Sequence, residues 1–345
     1  MYTCTEVFMN QRDIARLAGV STATVSRVVN SDPCVSTAKA ELVKRVIKEH
    51  GYITNAIASN LRSAKTKTIG FIVVDLYNDF FSRVFCGIDR ICQLNGYNVL
   101  LQNTDDNVVK EKDAIHTLCK YRVAGIIASF VQDGSSAMET LKSLEIPVVL
   151  VDRKSRNEKI DCVVVDNEGG IKKQVDYLVG LGHKRIAIIC GSQTNSTGYE
   201  RLQGYIKAMK ENGLEVDSEY IQYGEFYEEG GYKSTIKLLG MEKPPTAIIS
   251  SNNLMSIGAF KAIKDIGLQI PRDVSLTCFD DFQLASHLNP PLTVIQRPMQ
   301  RMGEIAAELL FGLMMGSRKP SDHQLIVMPT ELNIRESCSS PDKPE

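Results

Sequence analysis

A small all-α head followed by a larger α/β body with doubly wound parallel sheets is the fold class this 345-residue sequence predicts, on three observations. Amphipathic helical periodicity fills residues 11–50. From Thr68 onward, short apolar runs alternate with helical stretches. Charge divides at the same place: ten Lys and Arg against five Asp and Glu up to Thr68, then 30 against 36 in the remainder. A chain of this length exceeds one ordinary core and calls for two or three domains.

The head is organised around residues 11–30, QRDIARLAGVSTATVSRVVN. Ile14, Leu17 and Ala18 form an apolar stripe on a first short helix, and Gly19 supplies the positive φ of a tight turn. Ser21 is placed to cap a second helix, on which Val25, Val28 and Val29 share one sector while Ala23, Ser26, Arg27 and Asn30 lie opposite. Ala15, Gly19 and Val25 have the spacing of a helix-turn-helix: small where helices cross, glycine at the turn, branched where the second helix packs back. An ordinary helical hairpin is the competing reading. It does not account for the small outer face, where Ala23 and Ser26 leave room for groove entry. Arg27 can offer a fork to guanine O6 and N7, and Ala23 a contact to a thymine methyl. The positive balance suits a phosphate backbone, with a solvated basic face as the plain alternative.

A third helix runs from Ser36 through Leu42, Val43, Val46 and Ile47 to a stop at Gly51. Residues 55–62, NAIASNLR, form a two-turn helix capped by Asn55, with Ile57, Ala58 and Leu61 on one side. It is too short to hold alone in water, so DNA or a dimer partner must order it. The polar, basic SAKTKT follows as a linker. The expected division is a head over 1–54, a hinge helix and linker over 55–67, a body over 68–336, and a disordered tail over 337–345, where SCSSPDKPE is polar.

In the body the strand-like runs are IGFIVV (69–74), YNVLL (97–101), AGIIAS (124–129), PVVLV (147–151), CVVV (162–165), RIAIIC (185–190), TAIIS (246–250) and VSLTCF (274–279). PPLTVIQRP (290–298) is an extended stretch leading into a helix over Met299–Met315, and LIVMPTEL (325–332) is a last strand pair. So many strands over about 270 residues suit two sheets, with a ligand between them at the strands' carboxyl ends.

Composition excludes several classes. The nine cysteines include no C-x-x-C pair and no histidine at metal-ligand spacing, which fits a reducing, cytoplasmic compartment. There is no signal-peptide pattern and no 18-residue apolar run. No G-x-S-x-G elbow, P-loop, G-x-G-x-x-G turn or zinc motif occurs, and His50, His116, His183, His287 and His323 are scattered, so neither catalysis nor a cofactor is expected. A transporter's solute-binding module is disfavoured by the head and by the missing signal peptide.

Five strings in order, RDIARLAGVSTATVSRVVN, HGYITNAIASNLR, GLGHKRIAIICG, SNNLMSIGAF and VSLTCFDDFQLASHLNPPLTVIQRPMQRMGEIAAELL, resemble the lactose repressor (LacI/GalR) family of bacterial transcription regulators over essentially the whole chain. The resemblance implies a homodimer on a palindromic operator and a two-lobed, periplasmic-binding-protein-like body that holds a small-molecule effector. It implies base contacts from Thr22, Ala23 and Arg27, backbone positioning by Asn10, Ser21, Thr24, Ser26 and Asn30, and a minor-groove helix in which Leu61 wedges into the central step beside Ala58. Thr54 replaces a usual proline and Ser59 a usual arginine, which puts hinge stiffness and minor-groove charge in question. No C-terminal leucine heptads are present to raise the assembly beyond a dimer.

For the effector, the resemblance implies Phe81 and Phe226 as apolar walls and Asp152, Arg201, Asn252 and Asp280 as polar contacts. Each has a plain structural alternative: Phe81 as core, Asp152 as a cap after its strand, Arg201 in a surface pair. Asp280 beside Asp281 places two acids whose repulsion a bound ligand would relieve. Asn195 stands where purine-responsive relatives carry arginine and Asn253 where many members carry aspartate, so a sugar or sugar derivative is expected over a purine. A non-sugar ligand or a protein co-regulator is the alternative.

Overall fold

The computed structural model describes residues 9–29, 32–51, 66–132, 140, 141, 143, 145–155, 159–319 and 321–341. The chain divides into two compact units, Met1–Thr66 and Lys67–Glu345.

The first unit holds α1 (Gln11–Leu17), α2 (Thr22–Val29) and α3 (Thr37–Glu49). Asn10 caps α1 through a reciprocal box with Asp13, satisfying two amides that a helix start leaves open. The chain then turns at Gly19, φ +61°, and Ser21 caps α2 by accepting the Thr24 amide at 3.1 Å. Ile14, Ala15, Ala18, Val25, Val28, Val43 and Val46 are buried together. Two expected core positions differ: Leu17 is 47% and Leu42 40% exposed. A three-helix core this small closes over Ile14, Ala18 and Val43, and the flanks of each stripe stay in solvent.

The second unit has two six-stranded sheets. The first runs β11-β5-β4-β3-β1-β2 and the second β12-β10-β9-β8-β6-β7. The first-lobe strands are β1 (Thr68–Val73), β2 (Asn98–Asn103), β3 (Ile126–Ala128), β4 (Val148–Val151), β5 (Asp161–Val165) and β11 (Leu325–Met328). The second lobe has β6 (Ile186–Cys190), β7 (Ile221–Tyr223), β8 (Ala247–Ser250), β9 (Ser275–Phe279), β10 (Thr293–Gln296) and β12 (Glu331–Asn333). All paired strands run parallel except β12 against β10. β1, β3, β5, β6, β8 and β9 are buried almost throughout, which is why they read as continuous apolar runs instead of alternating ones.

Helices α4 (Asp79–Leu94), α5 (Val108–Lys120) and α10 (Met299–Met314) belong to the first lobe; α6 (Asn167–Gly180), α7 (Ser196–Glu211), α8 (Glu228–Leu239) and α9 (Asn253–Asp265) belong to the second. The chain therefore crosses between lobes after β5, after β10 and between β11 and β12. This corrects the reading of residues 325–332 as a strand pair: β11 extends one sheet and β12 the other, because the segment between them is a crossing. β7 was absent from the sequence pattern, being three residues with one buried.

α4 and α10 cross backbone to backbone at Gly87 and Gly303. A methyl at 87 would run into the Gln300 carbonyl, and one at 303 into that of Val84. Gly87→Ala is expected to cost about 1–3 kcal/mol and lower the melting temperature by several degrees. An unchanged melt would deny the crossing.

The tail also departs from expectation. Ser337 is fully buried; its hydroxyl donates to the Leu276 carbonyl at 2.6 Å and accepts the Thr293 amide at 2.8 Å. Ser339 receives a 2.9 Å contact from His183 Nε2 on its carbonyl, while Nδ1 of the same ring meets the Thr246 hydroxyl at 2.8 Å. Polar composition suggested disorder, but these side chains are the partners that buried strand ends need. Ser337→Ala strands the Thr293 amide and is expected to cost about 1–3 kcal/mol, readable in a urea melt. Residues 342–345 lie outside the described set.

Among the described residues the cysteines are free thiols, and no helix is long and apolar enough to cross a membrane.

Candidate functional site

The ends of strands from both sheets meet at one cleft, the place where open parallel sheets hold ligands. Val74 and Asp75 follow β1, Asp106 follows β2, Asp152 and Arg153 follow β4, Phe226 follows β7, Asn252 follows β8 and Asp280 follows β9. Thr197 and Arg201 come from the first turns of α7. Within each sheet the strands that supply these loops run parallel, so their carboxyl ends share one edge, and the two edges meet at the cleft.

All six residues expected at an effector site, Phe81, Asp152, Arg201, Phe226, Asn252 and Asp280, line this one cleft. Phe81 is also core, 3% exposed. Gly191 makes room for the Phe226 ring, since a side chain there would overlap it. Asn252 caps α9 through the Met255 amide and donates to the Phe226 carbonyl at 3.1 Å. Arg201 forms no surface pair: it is 1% exposed, donates from Nε to Asn167 at 3.0 Å and from Nη1 to the Ser251 carbonyl, and lies over the Phe279 ring at 3.8 Å. Burial, with the like charge of Arg297, holds its guanidinium down to about 10.

Backbone strain gathers here. Asp106, Asp152, Glu225, Phe226 and Asp280 are non-glycine residues with positive φ, from 51° to 103°, and all five line the cleft. Such conformations cost on the order of 1–3 kcal/mol in the rarer regions and persist where the surroundings over-determine them, as functional sites do.

The expected repulsion between Asp280 and Asp281 is met inside the protein. Asp281 pairs with Arg335 at 2.7 Å, and Asp280 accepts Nε and Nη2 of Arg297 at 2.5 and 3.0 Å. Arg297 Nη1 also reaches Asp152 at 2.6 Å, and the guanidinium lies 3.6 Å over the Phe80 ring. Burial pushes the Asp280 carboxyl up against the pull of Arg297 and Arg201. Burial works against charge on Arg297 too, yet Asp280 and Asp152 raise it above the ordinary arginine range.

Arg297 was missed by sequence reasoning. The available signal was an arginine directly after a strand in an otherwise apolar run, LTVIQRPM, where a buried charge requires partners. Asn78, Arg153, Thr197 and Tyr227 were missed as well. The lobes also touch directly around the cleft: Thr197 Oγ1 donates to the Asp152 carbonyl at 3.0 Å, and Asn253 Nδ2 to Asn78 Oδ1 at 2.9 Å.

In the first unit, Thr22, Ala23 and Arg27 are exposed on α2, while Thr24 and Ser26 are half-buried. Asn10 and Ser21 use their side-chain oxygens as caps. Arg27 leans toward Asp32 at 3.9 Å with its side chain 60% exposed. Asn30, Asn55, Ala58 and Leu61, with Thr54 and Ser59, lie outside the described residues. No group of three or more His, Cys, Asp or Glu among the described residues is arranged to hold a metal.

Residues 11–55 match the pattern of bacterial regulatory proteins of the lacI family, and residues 175–338 that of a periplasmic binding protein-like domain. The chain is 35% identical to the HTH-type transcriptional repressor PurR of Pasteurella multocida (strain Pm70), covering 95% of this chain and 98% of that protein. It is 33% identical to catabolite control protein A of Priestia megaterium, covering 94% and 98%. Among solved structures, the Lac repressor dimer bound to operator and the anti-inducer ONPF superposes with a TM-score of 0.85 at 28% identity, over 96% of this chain and 99% of that one. The regulator CelR in complex with cellobiose gives 0.74 at 29%, over 95% and 99%.

Proposed function

Because the chain belongs to the LacI family of bacterial regulatory proteins, and is thus a DNA-binding transcriptional regulator and not an enzyme, we propose that it is a cytoplasmic homodimeric repressor whose grip on a palindromic operator is set by a sugar or sugar derivative bound between the lobes. The observation that carries the reading is the convergence of the six residues on one cleft built from both sheets. Polar groups that both accept and donate, with Phe81 and Phe226 beside them, suit vicinal hydroxyls and the C–H face of a sugar ring.

On the head, Thr22, Ala23 and Arg27 read base edges from the exposed face of α2, with Asn10, Ser21, Thr24, Ser26 and Asn30 setting its position on the backbone. Asn55, Ala58 and Leu61 enter the minor groove. Effector binding biases the two lobes toward one relative arrangement, and the paired heads follow with altered spacing.

The test is a thermal-unfolding screen of the full chain against monosaccharides, disaccharides, sugar acids, sugar phosphates and purines. A ligand at 100 times its Kd adds about 2.7 kcal/mol, a shift on the order of 5 °C. A sugar-class hit that also changes retention of operator DNA, selected from a random pool, is the expected result. A hit confined to purines, or one without effect on DNA retention, overturns the sugar-gated reading.

A further inference from the structure

The cleft's two deepest acids are already satisfied by the chain itself. Asp152 follows a strand of the first sheet and Asp280 a strand of the second, and Arg297, on a crossing segment between lobes, bonds both at once. These are the positions that hydroxyl donors of a neutral sugar would use. With the guanidinium there, the two carboxylates offer such a sugar little.

What the cleft leaves unmet is donors. Arg201 Nη2 and Arg153 Nε are buried without a hydrogen-bond partner, on side chains more than nine-tenths buried that line the cleft. Arg153 otherwise uses Nη1 for Asp106 and the carbonyls of Phe130 and Val131. Orphan donors on two cationic groups call for anionic oxygen, and charge-assisted bonds to it are about twice as strong as neutral ones. Among the paired groups and Arg201 the charges balance: Asp152, Asp280 and Arg297 sum to one negative charge, Arg201 cancels it, and Arg153 is paired with Asp106; Asp75, half-buried, and Glu225, exposed, also line the cleft and carry two further carboxylates. Buried acids already paired, with unmet donors beside them, accept an anionic oxygen that two bare carboxylates would repel.

We propose that Arg297 is the specificity-determining residue of this cleft: by satisfying Asp152 and Asp280 from within, it turns the cleft from neutral sugars to sugar derivatives bearing an anionic oxygen group, which Arg201 and Arg153 receive. The proposal rests on the reading of the cleft as the effector site.

Calorimetric titration of the full-length wild type and Arg297→Gln with matched series tests it. The probes are glucose, galactose and mannose, their aldonates, and their 6-phosphates. The wild type is expected to favour at least one anionic member by tenfold or more over the neutral sugar of the same configuration, with the aldonate and phosphate arms separating carboxylate from phosphate. Arg297→Gln is expected to narrow that ratio at least tenfold, and Arg297→Lys, which keeps the charge, to retain most of it. Equal wild-type affinity for neutral and anionic partners overturns the inference, and this arm needs no variant to fold. So does a ratio left unchanged by Arg297→Gln, while sugar binding itself would still support the effector cleft. No binding by any member of the series overturns both.

Discussion

Replacing Arg297 with alanine is expected to lower stability by about 3–5 kcal/mol. The variant leaves Asp152 and Asp280, 7% and 1% exposed, without the cation that bonds them both, and removes the guanidinium packed over Phe80. The consequence is a fall in melting temperature of roughly 6–12 °C. Adding Asp152→Asn and Asp280→Asn to the same chain is expected to recover much of the loss, because the cost lies in stranded charge more than in a lost attraction. A melt for Arg297→Ala within one degree of wild type would mean that the three groups do not pair. The Arg318–Asp161 pair, at 2.9 Å and with the acid 3% exposed, is a useful comparison: it is buried away from the cleft, so it separates a general effect of stranded acids from one on ligand binding.

Arg27→Ala is expected to act on DNA recognition and hardly at all on the fold. Its side chain is 60% exposed and its 3.9 Å approach to Asp32 is a surface pair worth little, so thermal stability is expected to stay within about 0.5 kcal/mol. Loss of a guanidinium that reads guanine is expected to cost about 1–3 kcal/mol of discrimination at one base pair in each half-site, roughly 5- to 150-fold. Competition binding with operators changed at single positions resolves it: the preference at one pair flattens and the others hold. An even loss across all sequences, with a salt slope shallower by about one, would reassign Arg27 to a phosphate.

Where the sequence reading succeeded, the signal was local or periodic. Val25 and Val28 face inward because they sit on one sector of a helix, and Gly19 turns because only glycine takes positive φ without strain. The buried strands were legible as apolar runs because helices cover both faces of a parallel sheet. The positions of Phe81, Asp152, Arg201, Phe226, Asn252 and Asp280 at one cleft came from the family resemblance, and periodicity alone would have placed Arg201 on a helix surface.

Where it failed, the deciding contact was distant in the chain. Leu17 and Leu42 have helical spacing appropriate to a core, but a three-helix unit has too little interior to cover them. Ser337 and Ser339 look like a solvated tail until strand ends more than 40 residues away need their oxygens.

The sequence by itself determined the helix-turn-helix, the alternation of strand and helix, and the type of residue available at each strand end, since these depend on spacing, propensity and charge along the chain. Only the tertiary structure decided that β11 and β12 join different sheets and that one arginine closes over acids 17 and 145 residues away. Those outcomes are set by three crossings between lobes and by the cost of leaving a buried charge unpaired, and neither is written in any local pattern.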